Sequence, residues 1–121
     1  MRQLILGAAL AALLPFAAQA QSAGDAAAGE KVFAPCKACH AFGKNGVGPD
    51  LKGVIGRKAG THEGYNYSAA MKNSGLTWDE ATFRDYIHDP KAKVPGTKMI
   101  YAGQKDDKKV SDLIAYLETQ K

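Results

Sequence analysis

Cys36, Cys39 and His40 are the residues whose types and spacing could do chemistry in this chain. They stand as Cys36-Lys37-Ala38-Cys39-His40, two thiols three positions apart with an imidazole directly after the second. This is the spacing that attaches a c-type haem. Two thiols add across the two vinyl groups of one porphyrin. The pair of residues between them lets the backbone turn so that both sulfurs reach one ring edge, and the imidazole falls beneath the iron. Other uses of a Cys-x-x-Cys pair suit the chain less well. A zinc site needs two further soft or imidazole ligands at compatible spacing. The chain has no other cysteine, and its other histidines, His62 and His88, stand alone. A redox dithiol belongs near a βαβ pattern, and none is visible; that reading predicts a colourless protein with titratable thiols.

One imidazole leaves one axial position of a haem iron open, and its occupant decides the function. Four side chains are candidates: His62, His88, Met71 and Met99. His62 lies in a glycine-rich loop and reads as a solvated surface imidazole. His88 ends a helical pattern, where a partly charged ring meets the negative end of the helix dipole. Met71 sits inside a short helix and reads as a core filler. Met99 follows Pro95-Gly96-Thr97 on an irregular segment, where a side chain can be aimed at a cofactor. The residues alone leave all four in play.

The elements that must position these groups are short. The 121 residues suffice for one domain. Residues 1–20 read as a secretory signal outside it: Met1-Arg2-Gln3 is a positive start, Leu4 to Phe16 an apolar run, and Ala18-Gln19-Ala20 a small-x-small cleavage site. The rival is an uncleaved anchor. Bacteria attach haem c outside the cytoplasm, so signal and motif agree on a periplasmic protein. Cleavage removes one positive charge, Arg2, and no acid, taking the net charge from +4 to +3. No basic stripe interleaved with aromatics points to nucleic acid, whereas mild positive charge suits acidic protein partners.

Within residues 21–121 the patterns are helical. Asp25 is a cap for a helix over Ala26-Ala27-Ala28, with Gly29, Val32 and Phe33 on one face and Pro35 as its end. Gly43 to Gly64 reads as loop, long for a compact domain unless it wraps a cofactor. Ser68 caps a short helix stopped by Gly75. Thr77 and Glu80 fit a capping box that opens a helix from Trp78 to about His88. Pro90 starts one further turn, and Pro95-Gly96 forces a bend. Val110, Leu113, Ile114 and Leu117 form the apolar stripe of a last helix over Asp106–Thr119. No segment alternates as a strand, and a buried porphyrin would supply apolar interior that so small a domain lacks.

Several motifs occur together in order: Cys36-Lys37-Ala38-Cys39-His40, Gly48-Pro49-Asp50-Leu51, Gly56-Arg57-Lys58, Gly75-Leu76-Thr77-Trp78, Pro95-Gly96-Thr97-Lys98-Met99 and Asp112-Leu113-Ile114-Ala115-Tyr116-Leu117. In these the chain resembles a class I cytochrome c of the mitochondrial-like or bacterial cytochrome c2 type, from Gly24 to the last helix. The resemblance implies a single compact all-α domain of short helices and loops wrapped around one covalent haem c. It makes His40 the proximal and Met99 the distal ligand, with the Pro49 carbonyl accepting from the His40 ring. It sets Arg57, Tyr67 and Trp78 around the haem propionates, and Tyr86 and Thr97 near the methionine. Gly29 and Phe33 would cross Leu113 and Tyr116. Two departures stand out: Met71 where the family often carries a polar amide, and Tyr101 where it commonly has Phe.

The function so implied is that of a soluble periplasmic carrier and not an enzyme. It would move single electrons between a cytochrome bc complex and a terminal oxidase or photosynthetic reaction centre. It would be a monomer meeting the membrane surface only transiently. Lys37, Lys91, Lys98 and Lys105, with Lys44 beside them, would ring the exposed haem edge and meet acidic docking surfaces. The rival from another class is a ligand-binding or peroxidatic haem protein, which needs a five-coordinate iron or an easily displaced Met99.

Overall fold

Alanine-rich and amphipathic stretches, each begun by a side-chain cap, make five helices in the computed structural model, which describes Gly7 and residues 24–121. The predicted signal segment, 1–20, falls almost wholly outside the described residues. The helices are α1 (Ala26–Phe33), α2 (Ala69–Lys72), α3 (Glu80–His88), α4 (Pro90–Lys93) and α5 (Asp107–Glu118). Asp25, Ser68, Asp79, Asp89 and Asp106 cap them in turn, each side chain accepting an orphan N–H of the first turn. Among the described residues the β pairing amounts to one bridge, Lys58 to Thr77.

The crossing of α1 and α5 anchors the fold. Gly29 is buried where a Cβ would strike the Asp112 carbonyl and the Tyr116 side chain, so only glycine allows this approach. Beside it, Phe33 stacks on Phe42 at 5.1 Å and meets Tyr116 edge-on at 5.6 Å. The α5 stripe of Val110, Leu113, Ile114 and Leu117 is buried. The buried Asp112 carboxylate accepts the Asp25 N–H at 2.8 Å and pairs with the Lys108 ammonium, binding both helix starts.

The first helix ends at Pro35 as expected, with Phe33 its last residue and Ala34 its cap. Because proline cannot donate an N–H, the chain tightens after Phe33 into a 3₁₀ turn over Ala34–Ala38 that carries Cys36. One expectation about a helix start needs correction. Thr77 is not the cap of α3. It lies in the bridge with Lys58, and the Trp78 N–H donates to the Arg57 carbonyl at 2.8 Å. That extended pairing delays the helix, so Asp79 caps it and Glu80 becomes its first residue.

Residues 43–64 hold no helix and are stapled by polar contacts. Asp50 Oδ1 accepts from the Gly43 and Lys52 N–H groups, each at 2.8 Å, and Asn45 Oδ1 accepts from Asp50 N–H at 2.9 Å. The Gly53 N–H reaches the Gln120 carbonyl at 2.6 Å, tying the loop to the end of α5.

Candidate haem site

The 3₁₀ turn delivers the first of the site residues. Cys39 and His40 donate their backbone N–H groups to the Cys36 carbonyl at 3.1 and 2.9 Å, so the five-residue motif folds as one tight unit. The Gly48 N–H returns to the Cys39 carbonyl at 2.8 Å and brings Gly48-Pro49 against His40. A Cβ on Gly48 would collide with the His40 ring. The His40 Nδ1 lies 2.9 Å from the Pro49 carbonyl. A carbonyl only accepts, so Nδ1 carries the proton and Nε2 keeps its lone pair. Burial pushes the His40 pKa down, against the opposing pull of the Pro49 carbonyl and with help from Arg57, so the ring is neutral. A neutral imidazole with its far nitrogen held in this way has the tautomer and orientation that suit a metal ligand.

The distal segment is held at both ends. Gly96 turns with φ +90° after Val94, and the Thr97 N–H donates to the Val94 carbonyl at 3.0 Å. Further on, the Gln104 N–H donates to the Ile87 carbonyl at 2.9 Å and the Lys105 ammonium to the His88 carbonyl at 2.6 Å. Between these ties the Met99 N–H donates to Thr97 Oγ1 at 3.4 Å, and Thr97 Oγ1 bonds the buried Tyr86 hydroxyl at 2.7 Å. Burial pushes the Tyr86 phenol up, partly offset by that bond, so it stays neutral.

These groups converge on one cavity of about 320 Å³. Its wall is chiefly apolar, with Phe33, Leu51, Val54, Phe83, Ile87 and Leu117 among its residues. Cys36, Cys39, His40, Pro49, Arg57, Tyr67, Trp78, Tyr86, Thr97 and Met99 all line it, as do Met71 and Tyr101. Two sulfurs, one neutral imidazole and one thioether facing a single apolar space fit a haem c. A zinc site lacks its ligands: among the described residues no three His, Cys, Asp or Glu side chains gather for a metal ion.

A model of the cytochrome c family matches residues 26–121. Cytochrome c2 of Blastochloris viridis is 57% identical over 98% of this chain and 93% of its own length. Cytochrome c2 of Rhodomicrobium vannielii is 53% identical over 93% of each. The solved structure of cytochrome cH from Methylobacterium extorquens superposes with a TM-score of 0.78 at 66% identity, covering 79% of this chain and 99% of that one.

The chain belongs to the cytochrome c family. It is of the bacterial class I, cytochrome c2 type, and its cofactor is a covalently attached haem c. This cytochrome is an electron carrier and not an enzyme.

Of the two other histidines, His88 is exposed on the last turn of α3 and does not line the cavity. His62 departs from the expectation of a solvated loop imidazole. Its side chain is 29% exposed and sits 3.4 Å from Arg57 Nη1 and 3.7 Å from Asp50 Oδ2. Sequence reasoning missed it because its partners lie five and twelve positions back in a loop with no periodicity. Lys37, Lys44, Lys91, Lys98 and Lys105 are all exposed, but two also brace loops. The Lys98 ammonium donates to the Asn66 carbonyl at 2.6 Å, as Lys105 does to His88. Tyr65 adds a second strap, its hydroxyl donating to the Val47 carbonyl at 2.7 Å.

Proposed function

We propose that this cytochrome carries single electrons across the bacterial periplasm, from a cytochrome bc complex to a terminal oxidase or photosynthetic reaction centre. In this reading Cys36 and Cys39 would anchor the haem through thioethers, and His40 and Met99 would bind its iron. The observation that carries it is the neutral His40, its Nδ1 bound to Pro49, sharing one cavity with Met99 and both cysteines. The haem supplies a one-electron Fe(II)/Fe(III) couple, whose potential a methionine sulfur raises. Met99, whose N–H is held through Thr97 and Tyr86, would close the iron against exogenous ligands. Arg57, Tyr67 and Trp78 offer a cation and polar aromatic tips to the propionates, offsetting the cost of burying anions. The amino-terminal 1–20 pattern supports export.

Absorption spectra of the purified protein, ferric and reduced, with and without carbon monoxide, test the ligation. Sharp reduced bands unmoved by the gas, with a weak far-red ferric band, are expected. An immediate shift with carbon monoxide would favour the ligand-binding rival. Docking is tested with Lys37→Glu and Lys91→Glu, which leave the braces of Lys98 and Lys105 intact. Electron-transfer rates to membrane complexes should fall about tenfold at low salt and converge with wild type at high salt. Unchanged low-salt rates would overturn the lysine docking surface.

A further inference from the structure

The chain has three asparagines, and Asn45 alone precedes glycine; Asn66 and Asn73 precede Tyr67 and Ser74. Asparagine is a thermolabile residue. It is most so before glycine, where no side chain keeps the following backbone nitrogen from the amide carbon. Asn45 and Gly46 are both exposed, so water reaches the step.

The fold uses that amide as a clasp. Asn45 Oδ1 accepts from the Asp50 N–H at 2.9 Å, and Nδ2 donates to the Glu63 carbonyl at 3.1 Å. A donor on one side and an acceptor on the other fix which atom is which. The Gly46 N–H donates to the Gly48 carbonyl at 2.9 Å. The clasp thus joins the chain at Glu63 to the turn that ends in Gly48-Pro49. There Gly48 packs against the His40 ring, and the Pro49 carbonyl accepts from it.

We propose that Asn45 is a site of spontaneous deamidation, a modification that the clasp slows and that undoes the clasp. The Gly46 nitrogen gives its proton to hydroxide and attacks Asn45 Cγ. The N–Cγ bond forms, the Cγ–Nδ2 bond breaks, ammonia leaves and a succinimide ring remains. Water then adds to either ring carbonyl and opens the ring to an aspartyl or an isoaspartyl residue. No electron is transferred. In the folded protein the three hydrogen bonds must part first, so ring closure proceeds from locally opened states. The product cannot remake the clasp. A carboxylate only accepts, so nothing at position 45 donates to the Glu63 carbonyl. The isoaspartyl form also lengthens the main chain by one carbon, three positions before Gly48. A negative charge appears beside Lys44, on the rim where Val47 is 75% exposed and lines the cavity. The consequence for His40 rests on the haem-site reading above.

The test incubates the purified holoprotein in mildly alkaline buffer, folded and unfolded in guanidinium chloride, and follows each asparagine by peptide mass mapping with isoaspartyl detection. Amide loss is expected at Asn45 ahead of Asn66 and Asn73. It should be about tenfold slower in the folded protein, the weight of parting one or two ordinary hydrogen bonds. Gly46→Ala is the control. Gly46 does not use a positive φ, and a Cβ there would meet the Cys39 carbonyl at 3.4 Å, an ordinary contact. This variant should therefore keep the wild-type spectrum and lose the amide severalfold more slowly. The modified wild-type fraction, separated by ion exchange, should show a lower denaturation midpoint and a weaker far-red ferric band than the unmodified fraction. An Asn45 amide that outlasts Asn66 or Asn73, equal rates folded and unfolded, or a modified fraction with the unmodified midpoint and spectrum would overturn the inference. Failure of the underlying site reading shows separately, as reduced bands of the unmodified protein that move with carbon monoxide.

Discussion

The position of His40 depends on a residue with no side chain. Gly48 is buried, and a Cβ there would run into the imidazole ring. Gly48→Ala therefore forces the ring or its loop to move, and the His40–Pro49 hydrogen bond of 2.9 Å with it. Overpacking of this kind costs about 1–3 kcal/mol. We expect Gly48→Ala to lower the denaturation midpoint accordingly and to weaken the far-red ferric band; a wild-type midpoint and spectrum would show that the ring has room to shift. At this scale the sequence was readable where covalent chemistry dictates spacing, as at Cys36, Cys39 and His40. It was not readable where the choice lay among like side chains. Met71 and Met99 both line the cavity, and nothing in residue type separates them. Met99 is favoured by its Pro-Gly turn, by Thr97 and by the family pattern.

Among the elements, α5 carries opposite titrations at its middle and its end. At mid-helix the Asp25 N–H, and then the Lys108 ammonium, hold Asp112 below the usual carboxylate range. Asp112 therefore contributes stability above that range, lost as pH falls through its depressed value. Near its end, burial first, and then the neighbouring Glu80 carboxyl, push Glu118 up, against a smaller pull from Lys121. Glu80 Oε2 is buried without a donor among the described residues. Two ionised carboxyls cannot hydrogen-bond, so this contact becomes favourable only when one takes a proton. The folded state then binds that proton more tightly than the unfolded chain, and its stability falls as pH rises from the ordinary glutamate value through the raised one. Glu118→Gln should melt higher than wild type at pH 7, with the gap closing toward pH 4. Melting curves across that range check it, and a constant gap would place the effect elsewhere. The helices themselves were legible because caps and the 3.6-residue stripe are local signals. Thr77 misled because its pairing with Lys58 is a contact nineteen residues away in sequence, which no local pattern reports.

For the molecule as a whole, the cavity lies inside what would otherwise be the core. Phe33, Val54, Trp78, Phe83, Tyr86, Ile87, Leu113 and Leu117 are buried, and each also lines the cavity. The long 43–64 loop and the 95–105 segment close around the same space and have no sheet or helix of their own to hold them. This explains why a loop-rich reading was compatible with a folded domain. The cofactor supplies the interior that the loops lack. Without its occupant the cavity leaves its wall residues short of packing partners, against a total stability of only about 5–15 kcal/mol for an ordinary domain. The chain without haem should therefore not hold this fold. Cys36→Ala/Cys39→Ala, prepared free of haem, should lose the near-ultraviolet circular dichroism of Trp78 and show no cooperative thermal transition, while keeping some helix in the far ultraviolet. The α1–α5 crossing at Gly29 is the part most able to persist, because the approach of Gly29 to the Asp112 carbonyl and the edge-on contact of Phe33 with Tyr116 are made directly between the two helices. A cooperative transition with native-like near-ultraviolet dichroism would mean that the wall residues collapse on one another. In that case the haem fills a core that the protein could have built alone.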